Sequence, residues 1–249
     1  MQLASLMILA VCGLLVTTSC GRQQNASGQQ AVETNCAPVK IALLLDQTRS
    51  TNWTRTPQLR PEDLELLIEL IKRCGGELAL GLIRDESNRS LVRLRVERPP
   101  ETPEAPNPLR ALKARPLYER RRKEWETETA EGIRRFREAA AMLLERPADA
   151  GCTDLWGAVL RADLFLAEED ATWGAEISRW AVLVTDGHHN CGHGPVAMHS
   201  GARLLVVNGS ASLGSLAALK PARFESPQAA FRYVVQAQEE ISRAERSEK

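Results

Sequence analysis

The sequence predicts an α/β domain built on a doubly wound, mostly parallel sheet with helices on both faces. Three observations carry that expectation. Short apolar runs at Val39–Leu45, Trp180–Thr185 and Arg203–Val207 have the length and composition of strands buried on both faces. Segments with apolar residues at helical spacing alternate with them. The chain has 249 residues, 43% apolar and 26% charged, which supports a sizeable core and excludes a mainly disordered or fibrous protein.

After the first strand, Pro61–Arg73 places Leu64, Leu67, Ile68 and Ile71 on one helical face. Pro61, Glu62 and Asp63 suit its first turn, and Gly75-Gly76 stops it. Glu77–Ile83 and Leu91–Val96 read as strands joined by the short loop Asp85–Arg89, so they pair as a hairpin and give one antiparallel edge strand. The proline-rich segment Pro99–Pro108 then breaks the pattern. Leu109–Arg146, long and highly charged, reads as one or two exposed helices, a helical insert at about 99–146. Leu155–Leu166 is the next helix. Ser226–Arg246 closes the chain as an amphipathic helix with Phe231, Val234, Val235 and Ile241 inward.

Charge and composition narrow the function. Lys plus Arg equals Asp plus Glu, 32 against 32, which removes the simplest argument for a nucleic-acid partner. At 4% aromatic content a stacking platform for single strands is not expected either. The run Arg120-Arg121-Arg122-Lys123 is flanked by Glu119, Glu124, Glu126 and Glu128, so its default reading is an exposed helix laced with ion pairs.

The apolar run Leu3–Val16 is shorter than the roughly twenty residues a bilayer span needs, and suits the core of a signal peptide over residues 1–19. Ser19-Cys20 at its end resembles a bacterial lipobox, in which the cysteine becomes the acylated first residue. The polar, small-residue stretch that follows would make 20–37 a lipid-anchored flexible tether ahead of a domain at 38–249. The alternative is an ordinary signal peptide that leaves Cys20 a plain thiol. The lipobox reading makes the chain an exported bacterial membrane lipoprotein, facing the periplasm or the cell exterior. Export leaves Cys36, Cys74, Cys152 and Cys191 in an oxidising compartment, where two disulfides are expected in one of three connectivities.

Three segments carry candidate chemistry. The first strand ends in Asp46-Gln47-Thr48-Arg49-Ser50, Gly151-Cys152-Thr153-Asp154 opens a helix, and Thr185-Asp186-Gly187 closes a strand. In open α/β sheets the carboxyl ends of the strands form the ligand crevice. Carboxylates and hydroxyls together suit a hard divalent cation. These segments resemble the von Willebrand factor type A domain, a Rossmann-like fold, and its metal-ion-dependent adhesion site. That family has D-x-S-x-S after the first strand, a Thr in the second loop and Asp-Gly after the fourth strand. The matching positions are Asp46, Thr48, Ser50, Thr153 and Asp186, with Thr48 standing where the family has Ser.

The resemblance implies Mg²⁺, or Mn²⁺ or Ca²⁺, held by the hydroxyls of Thr48, Ser50 and Thr153. Asp46 and Asp186 would bind directly or through water. One coordination position would stay open for a carboxylate from a protein partner, which makes the chain a binding module and not an enzyme. The same model orders the cysteines: Cys36–Cys74 below the sheet and Cys152–Cys191 joining two site loops. His188, His189 and His193 surround Cys191 and could form a soft-metal site, but a solvated loop beside the crevice is the stronger reading. Trp53 and Trp156 follow the first two site loops and read as packing residues before a partner-facing rim. Two other functions compete. One is a metal-independent scaffold that binds through the charged insert. The other is a metal-assisted hydrolase using Asp46, Asp186 and His188, against which no nucleophile elbow, phosphate loop or H-E-x-x-H pattern is present.

Overall fold

A computed structural model describes residues 36–54, 56–87, 90–102, 108–173, 177–208 and 213–247. The expected signal peptide, Cys20 and nearly all of the tether lie outside the described residues. All described residues fall in one unit, Thr34–Lys249, which draws its sheet, its cores and both disulfides from its own residues.

Six strands form the sheet: β1 (Val39–Asp46), β2 (Gly76–Ile83), β3 (Val92–Val96), β4 (Ser178–Val184), β5 (Arg203–Val207) and β6 (Ala222–Phe224). Their order is β3-β2-β1-β4-β5-β6. All neighbours are parallel except β2 and β3, so the expected doubly wound sheet with one antiparallel edge is the observed one. The helices are α1 (Arg49–Thr54), α2 (Glu65–Cys74), α3 (Pro108–Leu144), α4 (Leu155–Ala167) and α5 (Pro227–Ser247).

Side-chain alternation along β1 sorts the core into two layers. Val39, Ile41, Leu43 and Leu45 pack with Leu67, Ile71, Phe136, Phe231 and Val234 from α2, α3 and α5. Ala42 and Leu44 face α4, where Ala79 and Ala181 on neighbouring strands leave room for Trp156, Val159 and Phe165. The apolar run of β1 contains one cation, Lys40, buried on the α4 side at 2% exposure. Its Nζ donates to the Glu168 carbonyl at 3.0 Å, lies 3.8 Å from Glu77 and sits 4.6 Å above the Phe165 ring. Burial pushes its pKa below the usual lysine value.

The helix expected at Pro61–Arg73 divides into a 3-10 turn, Pro61–Leu64, and α2. The Arg60 N–H donates to the Asp63 carboxylate at 2.8 Å, which holds that tighter first turn. At the other end Gly75 caps α2 and Gly76 begins β2. Gly76 has φ 131°, and a Cβ there would collide with the Val39 backbone, so the close entry into β2 requires glycine. Cys36–Cys74 closes this end, below the amino terminus of β1. The charged insert is one helix, α3. Thr129, Ile133, Phe136 and Ala140 in its second half are buried, and residues 113–124 in its first half include none that is buried.

Among the described residues three elements were not anticipated: α1, β6, and a 3-10 turn at Gly214–Leu219. None carries a hydrophobic period long enough to be read from sequence.

Candidate functional site

The strand order reverses between β1 and β4, and this switch point is where a doubly wound sheet leaves its crevice. β1 delivers Asp46 to that point, and the chain leaving β4 delivers Thr185 and Asp186. All three are buried, Asp46 at 4% and Asp186 at 1% exposure.

The turn after β1 folds back on its own carboxylate. Thr48 donates to Asp46 Oδ1 twice, from its backbone N–H at 3.0 Å and from Oγ1 at 2.7 Å. Thr185 Oγ1 donates to Asp46 Oδ2 at 2.6 Å. Because the Thr48 hydroxyl proton is committed to Asp46, its oxygen accepts from Thr153 Oγ1 at 3.0 Å. Ser50 Oγ also lies 3.0 Å from Thr48 Oγ1. Asp186 Oδ1 accepts the His188 N–H at 2.9 Å.

Four of the expected residues, Asp46, Thr48, Ser50 and Thr153, are thus linked in one hydrogen-bonded cluster. Asp186 stands close enough for its charge to act on Asp46. Thr185 joins the cluster as a residue the sequence reading used only to end a strand. Its position beside Asp186, at the end of a fully buried run, was the available signal.

Backbone pairing brings the second loop to the first. Thr48 and Ala150 form an isolated parallel bridge. The Arg49 N–H donates to the Ala150 carbonyl at 3.1 Å, and Ala150 donates to the Gln47 carbonyl at 3.4 Å. The exit of α3 is fastened to the same turn, since Gln47 Nε2 donates to the Leu143 carbonyl at 3.4 Å and Asn52 to that of Ala148 at 3.2 Å.

The third loop is stitched to the second by several bonds. Cys152–Cys191 is one. The Thr153 N–H donates to Asn190 Oδ1 at 2.7 Å, and Asn190 returns its own N–H to the Thr153 carbonyl at 3.2 Å. His189 Nδ1 accepts the Leu155 N–H at 3.2 Å, and His193 Nδ1 meets Asp154 Oδ2 at 2.9 Å. Asp154 caps α4 by accepting the Gly157 N–H at 2.9 Å, and it also accepts the His193 N–H at 2.9 Å. Gly192, at φ 80°, lies so close to Asp154 that a Cβ would overlap the carboxylate.

His189 and His193 therefore serve the start of α4. Among the described residues, no group of three His, Cys, Asp or Glu side chains converges as a metal-ligand set. His188 is exposed beside Asp186. Trp156 is buried at 3% exposure, consistent with packing. The Trp53 side chain lies outside what the structure describes.

Electrostatics separate Asp46 from its surroundings. Burial raises its pKa; the Thr185 and Thr48 hydrogen bonds lower it and the Asp186 charge raises it again, leaving it at about 6. Among the described residues no Lys, Arg or His side chain pairs with it. Ionised Asp46 faces hydroxyl oxygens and a second carboxylate, an arrangement that favours an added cation.

No family model matches the chain, and no curated protein matches it. Solved structures similar to it include the pilus adhesin SpaC from Lactobacillus rhamnosus GG in an open conformation. That match has TM-score 0.42 and 11% identity, and covers 84% of this chain and 30% of that one. Proximal thread matrix protein 1 from the mussel byssus gives TM-score 0.40 and 11% identity, covering 80% of this chain and 48% of that one. The chain thus spans less than half the length of either protein.

Proposed function

We propose that the chain is an exported binding module that recognises a carboxylate-bearing protein ligand through a divalent cation held by Asp46, Thr48, Ser50, Thr153 and Asp186. The observation that carries this reading is the clustering of hydroxyl oxygens around Asp46. Octahedral Mg²⁺ at 2.0–2.1 Å from its ligands sets neighbouring ligand oxygens about 2.9 Å apart. Thr48 Oγ1 lies 3.0 Å from both Ser50 Oγ and Thr153 Oγ1, a spacing that fits such a donor set.

When bound, the cation supplies the positive charge that lets two acidic partners meet. The residues of the chain do the rest. Asp46 gives up its proton readily near neutral pH, Thr185 orients its outer oxygen, and the Asn190 clasp holds Thr153 in register. The surrounding loops, fixed by Cys152–Cys191, present a firm rim to the partner. Disulfides form and persist in oxidising compartments, which agrees with export. An acyl chain on Cys20 would hold the domain to a membrane by its tether.

Calorimetric titration with Mg²⁺, Mn²⁺ and Ca²⁺, comparing wild type with Asp46→Ala, tests this reading. Binding by the wild type and its loss in the variant are expected. An absence of binding, or equal binding by the variant, overturns it.

A further inference from the structure

We propose that the first half of α3 is a contact for an anionic phospholipid surface. This inference is independent of the cation site. Between Pro108 and Glu124 the chain carries seven Lys or Arg residues against two Glu, in a protein whose total charge is balanced. From Trp125 to Leu144 the same helix carries three Arg against four Glu. The charge therefore changes near where the described part of the helix meets the body of the domain: from residue 113 onward Thr129 is the first buried residue, and residues 113–124 include none. At 1.5 Å per residue, the segment Pro108–Glu124 is about 25 Å of helix.

Helix stability does not account for these cations. Only Arg110 lies in the first turn, where the macrodipole acts and favours acids. Three of the cations form exposed pairs four residues apart: Arg115–Glu119 at 2.7 Å, Arg120–Glu124 at 2.9 Å and Arg122–Glu126 at 2.9 Å. Each has Arg ahead of Glu, the weaker orientation, so these pairs add little. Among the described residues Lys113, Arg121 and Lys123 have no carboxylate partner. These three cations stand in solvent, and among the described residues no acidic side chain pairs with them.

Two features select a lipid surface as the occupant. Net positive charge complements anionic headgroups, at roughly 1 kcal/mol for each Lys or Arg brought to the surface. Apolar residues are interleaved with the cations: Leu109, Leu112, Leu117 and Tyr118. Leu117 is 54% exposed. Basic residues beside an exposed leucine and a half-buried tyrosine are the composition of a helix that meets a headgroup layer. Duplex nucleic acid or an acidic protein would use the charge and leave Leu117 in water.

The test uses residues 34–249, the self-contained unit, so that neither the leader nor an acyl chain contributes. The unit is mixed with phosphatidylcholine vesicles, with and without phosphatidylglycerol, and sedimented. Binding is expected only to the anionic vesicles, falling steeply with added salt. The triple substitution Arg120→Gln, Arg121→Gln, Lys123→Gln should weaken it on the order of 100-fold. Removing three cations elsewhere, Arg134→Gln, Arg135→Gln and Arg243→Gln, should leave it within about threefold. Leu117→Ser should weaken anionic-vesicle binding while leaving any binding to polyglutamate unchanged. Equal binding to both vesicle types, wild-type binding by the triple variant, or tighter binding to polyglutamate than to vesicles each overturns the proposal.

Discussion

Asp46 and Asp154 lie at the same edge of the sheet, at 4% and 1% exposure, and their environments shift them in opposite directions. Burial raises both. At Asp154 the backbone N–H and ring of His193, with the N–H groups of Gly157 and Ser87, outweigh burial and hold the carboxyl below the usual value. At Asp46 the donors are two hydroxyls and one N–H, a second carboxylate stands nearby, and the pKa rests at about 6. A buried carboxylate met by backbone N–H groups is part of the scaffold. One met by hydroxyls beside a second carboxylate is short of positive charge, and that shortage makes it the candidate site.

This contrast can be broken in several ways. Asp154→Ala removes the cap of α4 and leaves the N–H groups of Gly157 and His193 without their acceptor, so it should cost about 3 kcal/mol in urea unfolding of the disulfide-intact chain. If Asp154→Ala unfolds no more easily than wild type, the scaffold role assigned to it fails.

The pH dependence should follow the same division. A folded-state pKa raised from 3.8 to about 6 means that Asp46 contributes stability below pH 3.8 and loses it as pH rises through about 6. In metal-free protein that loss is about 3 kcal/mol, at 1.36 kcal/mol per unit. Asp154, held low, contributes stability above 3.8 that is lost as pH falls below it. Asp46→Asn should therefore flatten the first slope in metal-free protein, leave the second, and abolish any stabilisation by Mg²⁺. Thermal unfolding across pH, with chelator or with excess Mg²⁺, checks both.

Smaller changes sharpen the picture. Thr185→Val removes the 2.6 Å bond to Asp46, so it should raise the Asp46 pKa further and cost about 1 kcal/mol in the metal-free chain at neutral pH. Carbon-detected titration of the Asp46 carboxyl reads the shift directly. Thr48→Ser keeps the hydroxyl and should change cation affinity by only a few-fold in calorimetry, because the methyl is not a ligand atom.

Much of this was legible in the sequence. Val39–Leu45 and Trp180–Thr185 are continuous apolar runs because strands buried on both faces have no polar side to show. The pattern Asp46, Thr48, Ser50 could be read because alternate residues after a strand end are neighbours in space. What escaped notice was short or polar. β6 is three residues long and exists because β5 offers its edge. α1 has no apolar period, and Lys40 hid inside an apolar run because its partners, Glu77 and Glu168, are far away in sequence. Asp154 read as part of a site loop, and only its contacts with His193 and Gly157 make it a cap.

The sequence by itself determined the alternation of strands and helices, the position of the charged insert and the oxygen-bearing residues, since these rest on local period and residue chemistry. The tertiary structure decided which of those oxygens meet, which aspartate is held by N–H groups and which by hydroxyls, and that residues 113–124 of α3 include none that is buried. Those depend on the crossing between β1 and β4 and on loops brought together over about a hundred residues of chain, as in the Thr153–Thr48 bond. Side-chain environment is set by such long-range contacts, and no local pattern encodes it.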